Sequence, residues 1–266
     1  MIQSGHYNER VYLMKMKPED FPAVIDYVNK KARSYGYTKI FCKIPFWASP
    51  TFISGGFIVE AQIPCFYKAR DDAYFVSKFL NSDRLLSIEN DQLVKLTQAL
   101  ATHAVSKPMP FLRDEFSFAK IGRDRSREVA EVYGKVFETY PFPIYDPEYI
   151  SNSFHNDVHY FGIEMDRQIV ALSSAEIDRE NANAEMTDFA ILPEHRGNQL
   201  AIILLKEMEH EMLKQGIRTL YTICRLNSIP INKVFLRLHY KYGGTLIKNS
   251  NIAGNIESMN VYYKHI

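Results

Sequence analysis

The residues best suited to chemistry lie in one run, Pro193-Glu194-His195-Arg196-Gly197-Asn198-Gln199-Leu200-Ala201, between a strand-like stretch and an amphipathic helix. Strand, turn and helix in that order aim the backbone N–H groups from Gly197 to Ala201 outward. The helix dipole adds about half a positive charge at the same end. Arg196 adds a charged donor, so the segment suits capture of a phosphate or pyrophosphate. It is neither a P-loop nor a dinucleotide fingerprint, because the lysine and the glycine spacing are missing. The preceding strand, Ala184 to Leu192, carries Glu185 and Asp188. Glu185 can serve as a general base or be a strand-end surface charge; Asp188 can be the base, a substrate ammonium partner or a satisfied structural acid. Two-residue alternation puts Glu185, Thr187, Phe189 and Ile191 on one face, and Met186, Asp188 and Ala190 on the other.

The elements that must position these residues read as α/β. In the second part, strand Phe116 to Ile121 precedes helix Arg125 to Phe137 and the rigid loop Tyr140-Pro141-Phe142-Pro143-Ile144. A hairpin, Val158 to Glu164 and Gln168 to Ile177, leads into the strand before Arg196. After it come a helix closed by Gly216, strand Arg218 to Arg225, a short helix Asn232 to Leu238, and strands Tyr240 to Ile247 and Ser258 to Lys264. The first part reads as strand, helix, strand, helix, strand, strand, with Gly36 closing its first helix. Gly36 pairs with Gly216, Gly56-Phe57 with His239-Tyr240, and the run ending at Lys78 with the run ending at Lys264. That order suggests a duplicated half-domain. A helical stretch, Asp91 to Ala104, and a linker, Ser106 to Pro110, separate an N-terminal unit, residues 1–112, from a second domain, residues 113–266. The N-terminal unit has no turn like that at Arg196. It is expected to bind no coenzyme and to cap the sheet edge or wall an acceptor pocket.

Composition bounds the partners. The 266 residues are 46% hydrophobic and 24% charged, enough apolar material for a full core without metal or disulfide staples. Lys+Arg is 32 against Asp+Glu 31, and a formal charge of +1 speaks against nucleic-acid and membrane-surface binding. Cys42, Cys65 and Cys224 show no zinc spacing and read as three small core residues in a reducing compartment, so no metal is expected. The apolar run Leu200 to Leu205 is far too short for a membrane span, and the polar stretch Met1 to Arg10 lacks a signal peptide's apolar core. A cytoplasmic protein is expected; the oligomeric state is open, a dimer included.

Arg196, Gly197, Asn198, Gln199, Leu200 and Ala201 resemble motif A of the GNAT N-acetyltransferases, whose pattern is Arg/Gln-x-x-Gly-x-Gly/Ala. Gln199 stands where glycine is usual. Glycine lets the backbone approach a pyrophosphate closely. With Gln199 in helical geometry its N–H still donates, so weaker or adjusted binding is expected. The resemblance implies a GNAT fold from about residue 113 onward and acetyl-CoA as co-substrate. Its pantetheine would lie in a wedge where the strand before motif A splays from the next. Coenzyme contacts are implied for Phe189, Ala190, Ile191, the motif A residues and Asn232. The backbone around Ala190 and Ile191 would face the thioester oxygen. Glu185 falls where histone-acetylating members carry their base. Phe235 occupies the position of the tyrosine that many members use as acid, leaving the general acid unassigned.

The resemblance extends further. "YPFPIYDPEYI", "ALSSAEID", "AEMTDFAILPEHRG", "YTICRLNS" and "IAGNIESMNVYYK" are similar to the β-lysine N-acetyltransferases, as are "EAQIPCFY" and "DDAYFVSK" in the N-terminal unit. This implies acetylation of the terminal amine of β-lysine, giving a net-neutral solute of the kind accumulated against osmotic stress. A pocket for that substrate needs a cation and acids. Arg225, at the end of its strand, is the carboxylate candidate, with a surface ion pair as its alternative. Glu257, just before the last strand, is the ammonium candidate, or a loop charge. Phe142 and Tyr145 would wall the pocket, or only pack. Two other readings stay open: an acetyltransferase for a polyamine, lysine or an amino sugar, and an acyl-CoA-binding module without turnover.

Overall fold

A computed structural model describes residues 1–87, 89–102, 108–252 and 254–266. The N-terminal part runs β1 (Ile2–Gly5), β2 (Arg10–Leu13), α1 (Ala23–Ser34), β3 (Lys39–Pro45), α2 (Ser49–Ser54), β4 (Ile58–Tyr67), β5 (Asp71–Phe79), α3 (Ser82–Leu86) and α4 (Asn90–Thr102). The second part runs β6 (Phe116–Ile121), α5 (Ser126–Val136), α6 (Pro147–Ser153), β7 (Val158–Met165), β8 (Gln168–Asp178) and β9 (Asn183–Ile191). It continues with α7 (Leu200–Lys214), β10 (Thr219–Arg225), α8 (Ile229–Arg237), β11 (Lys241–Ile252) and β12 (Asn255–His265). Three expectations move. The short helix starts at Ile229 rather than Asn232, because Pro230 suits a first turn. The last strand starts at Asn255, which puts Glu257 inside it. Cys42 and Cys224 are buried, but Cys65 is exposed, held outward at a register shift of β4 with φ of 50°. Of the expected helix and linker, Ala104 and Ser106 lie outside the described residues.

The described strands join one mixed sheet of twelve, in the order β1-β2-β3-β5-β4-β11-β12-β10-β9-β8-β7-β6. The order has an internal symmetry. In β2-β3-β5-β4 the first pair is parallel and the next two antiparallel, and β9-β10-β12-β11 repeats this. The connecting helices end alike. Gly36 and Gly216 are left-handed, and the next residue's N–H reaches back five residues, Tyr37 to Ala32 and Ile217 to Met212. α2 and α8 close in the same way, with Gly56 and His239 left-handed and N–H bonds from Phe57 to Phe52 and Tyr240 to Phe235.

The two halves meet where β4 pairs with β11. A Cβ at Gly244 would lie 2.2 Å from the Glu60 carbonyl oxygen, so a side chain there would push the strands apart. β11 shifts register between Leu246 and Ser250, which leaves its carbonyls without strand partners. Buried cations of the N-terminal half take them up. Lys39 Nζ donates to the Ile247 carbonyl (2.6 Å) and to Glu60 (2.8 Å), Arg84 donates to the Lys248 carbonyl (2.6 and 2.9 Å), and Arg10 to the Asn249 carbonyl.

Helices α1 and α7 cover separate cores on their own halves. The other faces of the two halves turn toward each other. Tyr12, Phe41, Phe75, Tyr221, Met259 and Val261 form one cluster there, and the Phe66 and Tyr221 rings lie 5.1 Å apart edge-on. The N-terminal unit thus faces the strands that carry Glu185 and Arg225.

Candidate active site

β9 and β10 pair at Asn183–Thr219, Ala184–Leu220 and Tyr221–Glu185, and no further. Beyond that last rung both strands continue unpaired with each other, β9 to Ile191 and β10 to Arg225, which opens the wedge. Leu192 N–H bonds to the Val170 carbonyl on β8. Antiparallel alternation therefore turns Ala190 N–H to β8 as well, and the Ile191 amide to the gap. The Ile191 carbonyl also faces that gap, where Arg196 Nε donates to it at 3.3 Å.

The motif A turn presents Gly197 at φ of 87° with open space where a Cβ would stand. Gln199 is left-handed, at φ of 60°, and caps α7; it is not in the helical geometry expected of it. The reason is local: the chain must turn sharply from Arg196 into Leu200, and that turn is where related motifs use glycine. The Gln199 side chain is held by Arg237 Nη1 (2.7 Å), while Asn198 accepts from Arg113 and donates to the His195 carbonyl. Leu200 is a core side chain, and Ala201 is half-buried behind it. The first backbone bonds of α7 run from Ile202 and Ile203 to the Gln199 carbonyl, so among the described residues the Leu200 and Ala201 amides are left for a ligand. An open glycine, free first-turn amides and an adjacent arginine fit a pyrophosphate.

The strand alternation breaks at Asp188. Its φ of 59° marks a bulge, matched by a register shift against β8 between Leu172 and Ser174. Met186 and Phe189 therefore both pack toward α7, while Glu185, Thr187 and Asp188 open onto one cavity whose wall the half-buried Phe189 also reaches. The cavity measures about 1290 Å³ and lies between the halves of the molecule. Asp188 is heavily engaged: it accepts from Tyr140, Ser174 (2.6 Å) and Thr187 (3.3 Å). Burial still raises its pKa, outweighing those bonds. Glu185 faces the Tyr221 hydroxyl and Lys43, whose Nζ donates to that hydroxyl at 3.0 Å. Burial raises the Glu185 pKa and Lys43 opposes the rise. Glu176 pairs across from Glu185 and opens onto the cavity, and burial with its two acidic neighbours pushes its carboxyl upward.

Arg225 and Glu257 come together, but with each other, Nε to Oε2 at 2.9 Å and Nη2 to Oε1 at 2.7 Å. Asn232 is fully buried with its capacity used: Nδ2 donates to the Arg225 and Ser228 carbonyls, and Oδ1 accepts from Asn260 and Tyr262. Phe142 lines the cavity; Tyr145 does not, and its hydroxyl bonds to the Phe137 carbonyl. Phe235 is buried, with edge-on contacts to Phe189 and Tyr240.

Comparison with known proteins decides the family. A β-lysine N(6)-acetyltransferase from Methanococcus maripaludis is 36% identical over 264 residues, 99% of this chain and 95% of the relative. The chain belongs to the β-lysine N-acetyltransferase family. A second relative of that name, from Methanosarcina mazei, is 30% identical over 197 residues, 74% of this chain and 72% of its own. The acetyltransferase (GNAT) family model matches residues 126–240. Among solved structures, the spermidine/spermine N-acetyltransferase SpeG from Vibrio cholerae has a TM-score of 0.50 at 15% identity, covering 57% of this chain and 95% of that one. A ribosomal-protein acetyltransferase, RimL, solved with coenzyme A, has a TM-score of 0.51 at 14% identity, covering 60% and 98%. These two share the fold of the part of this chain that they cover. The chain is therefore a GNAT N-acetyltransferase in a mixed α/β fold.

Residues that sequence reasoning missed in this N-acetyltransferase come largely from the N-terminal half. Lys43 and Tyr12 reach the cavity from β3 and β2, and Tyr221 and Glu176 stand beside Glu185. Only Glu176 carried a signal, as a charge in an otherwise buried strand.

Proposed function

We propose that this enzyme transfers the acetyl group of acetyl-CoA to the terminal amine of β-lysine, with Glu185 as general base. The observation that carries this is the position of Glu185 at the last paired rung of β9 and β10, where the wedge begins. An alkyl ammonium, with pKa of about 10.4, must lose its proton before its nitrogen attacks. Glu185 takes that proton; its raised pKa and its Tyr221–Lys43 support keep a usable base in a partly enclosed site. The motif A amides and Arg196 hold the pyrophosphate, and the Ile191 amide faces the thioester oxygen as charge develops there. Acetyl-CoA supplies the activated acyl carbon. The C–N bond forms as the C–S bond breaks, and a thiolate, with pKa of about 8.5, leaves without an obligatory acid.

The acceptor belongs in the cavity among Glu176, Glu185 and Asp188, whose combined charge suits a substrate with two ammonium groups. Asp188 acts as a positioning residue, tying Tyr140 and hence the Pro-Phe-Pro loop to the bulge. Both named relatives act on β-lysine, and one spans nearly this entire chain. The acetylated product would carry one ammonium and one carboxylate, a neutral zwitterion suited to accumulation under osmotic stress.

The test is thiol release from acetyl-CoA with β-lysine, α-lysine, ornithine, spermidine and glucosamine. Strong preference for β-lysine is expected. Preference for another amine would refute the substrate, and coenzyme binding without release would refute turnover.

A further inference from the structure

Arg10, at the start of β2, is 5% exposed and lines the cavity. Its Nη1 donates to the Asn249 carbonyl and, at 3.1 Å, to Ser250 Oγ. Its Nε has no hydrogen-bond partner among the described residues. Nor has Asn249 Oδ1, whose residue is 1% exposed and lines the same cavity. Arg10 forms no ion pair with a described carboxylate, and two further cations, Arg84 and Lys39, act on it. A guanidinium held out of water without a counter-ion is costly, and its planar fork is shaped for a carboxylate.

Tyr12 lies two residues after Arg10 on the same face of β2, with the Arg10 guanidinium 5.3 Å from the centre of its ring, and both residues line the cavity that Glu185 and Glu176 also line. The alternative cation, Arg225, already has its fork filled by Glu257.

We propose that Arg10, with Asn249 and Ser250, forms the subsite for the carboxylate end of the amino-acid acceptor. The carboxylate pairs with the Arg10 guanidinium at the cavity wall and supplies the counter-ion that the described residues do not. The distal amine then reaches Glu185. The N-terminal unit, in this arrangement, supplies the acceptor's selectivity for an amino acid over a plain diamine. The proposal rests on the acetyl-transfer reading above and adds where the substrate's other end is bound.

The experiment compares kcat/KM for β-lysine with that for 1,4-diaminopentane, the same chain without the carboxylate, in wild type and in Arg10→Gln. The ratio within one preparation cancels any loss of folded enzyme. Wild type should favour β-lysine, and R10Q should lower that ratio about a hundredfold, mainly through the KM for β-lysine. An unchanged ratio in R10Q, with both substrates slowed equally, would overturn the proposal and leave Arg10 a structural residue. Should R10Q not fold, wild type carries the test through inhibition by 3-aminobutanoate, which has the carboxylate end but no reacting arm. Competitive inhibition by it and none by 2-aminobutane supports the subsite; the reverse order overturns it. Wild type that acetylates neither amine would instead refute the acetyl-transfer reading itself.

Discussion

Replacing Lys43 by methionine removes a cation that faces Glu185 and lies 5.3 and 5.1 Å from the Phe66 and Tyr221 ring centres, and leaves an unbranched side chain in its place. Lys43 Nζ is 3.0 Å from the Tyr221 hydroxyl, which in turn faces Glu185. One hydroxyl between the two groups puts charge and carboxylate on the order of 6 Å apart. At an effective dielectric of about 20 their attraction is about 3 kcal/mol, or about two pKa units. Both groups border a cavity that water enters, and screening there leaves about one unit. Burial already raises Glu185 and Lys43 holds it down, so K43M raises it further. The carboxylate is the active form. The acid limb of kcat/KM for β-lysine therefore moves to higher pH by about one unit, read from a profile between about pH 5 and pH 9. A limb that stays in place, or moves to lower pH, would refute the Lys43–Tyr221–Glu185 arrangement.

Three stability predictions follow from the same geometry. Gln199→Gly relieves a left-handed non-glycine residue at the cost of an exposed contact to Arg237, and should raise Tm by about 2 °C in a thermal melt; a lower Tm would contradict it. Asn232→Leu strands Asn260 and Tyr262, and should cost about 3 kcal/mol or more in urea unfolding. Gly244→Ala puts a methyl against the Glu60 carbonyl and the Ala61 backbone, and should lower the urea midpoint by the equivalent of more than about 3 kcal/mol; a wild-type midpoint would mean that β4 and β11 can part at little cost.

Local signals in the sequence were legible because they act locally. Gly36 and Gly216 end their helices through their own backbone freedom, and the pairing of Gly56-Phe57 with His239-Tyr240 fell on the same left-handed helix end. The motif A turn was equally readable. Alternation failed at Asp188 because a bulge adds a residue without any mark in residue type, and it carried Phe189 to the opposite face. Arg225 and Glu257 were each legible as pocket charges, but their mutual pairing depends on the β10–β12 register. Lys43 and Arg10 were invisible as site residues. They reach the cavity only because the two halves of the sheet face each other across more than a hundred residues of chain.

The central claim is that Glu185 removes the proton from the acceptor amine. Its most direct test is Glu185→Gln with β-lysine, measuring kcat together with acetyl-CoA binding in the same preparation. The account predicts a kcat lower by a factor of about a hundred to a thousand, with coenzyme affinity unchanged, since the motif A turn is untouched. A kcat within about threefold of wild type would contradict it and move the base elsewhere in the cavity.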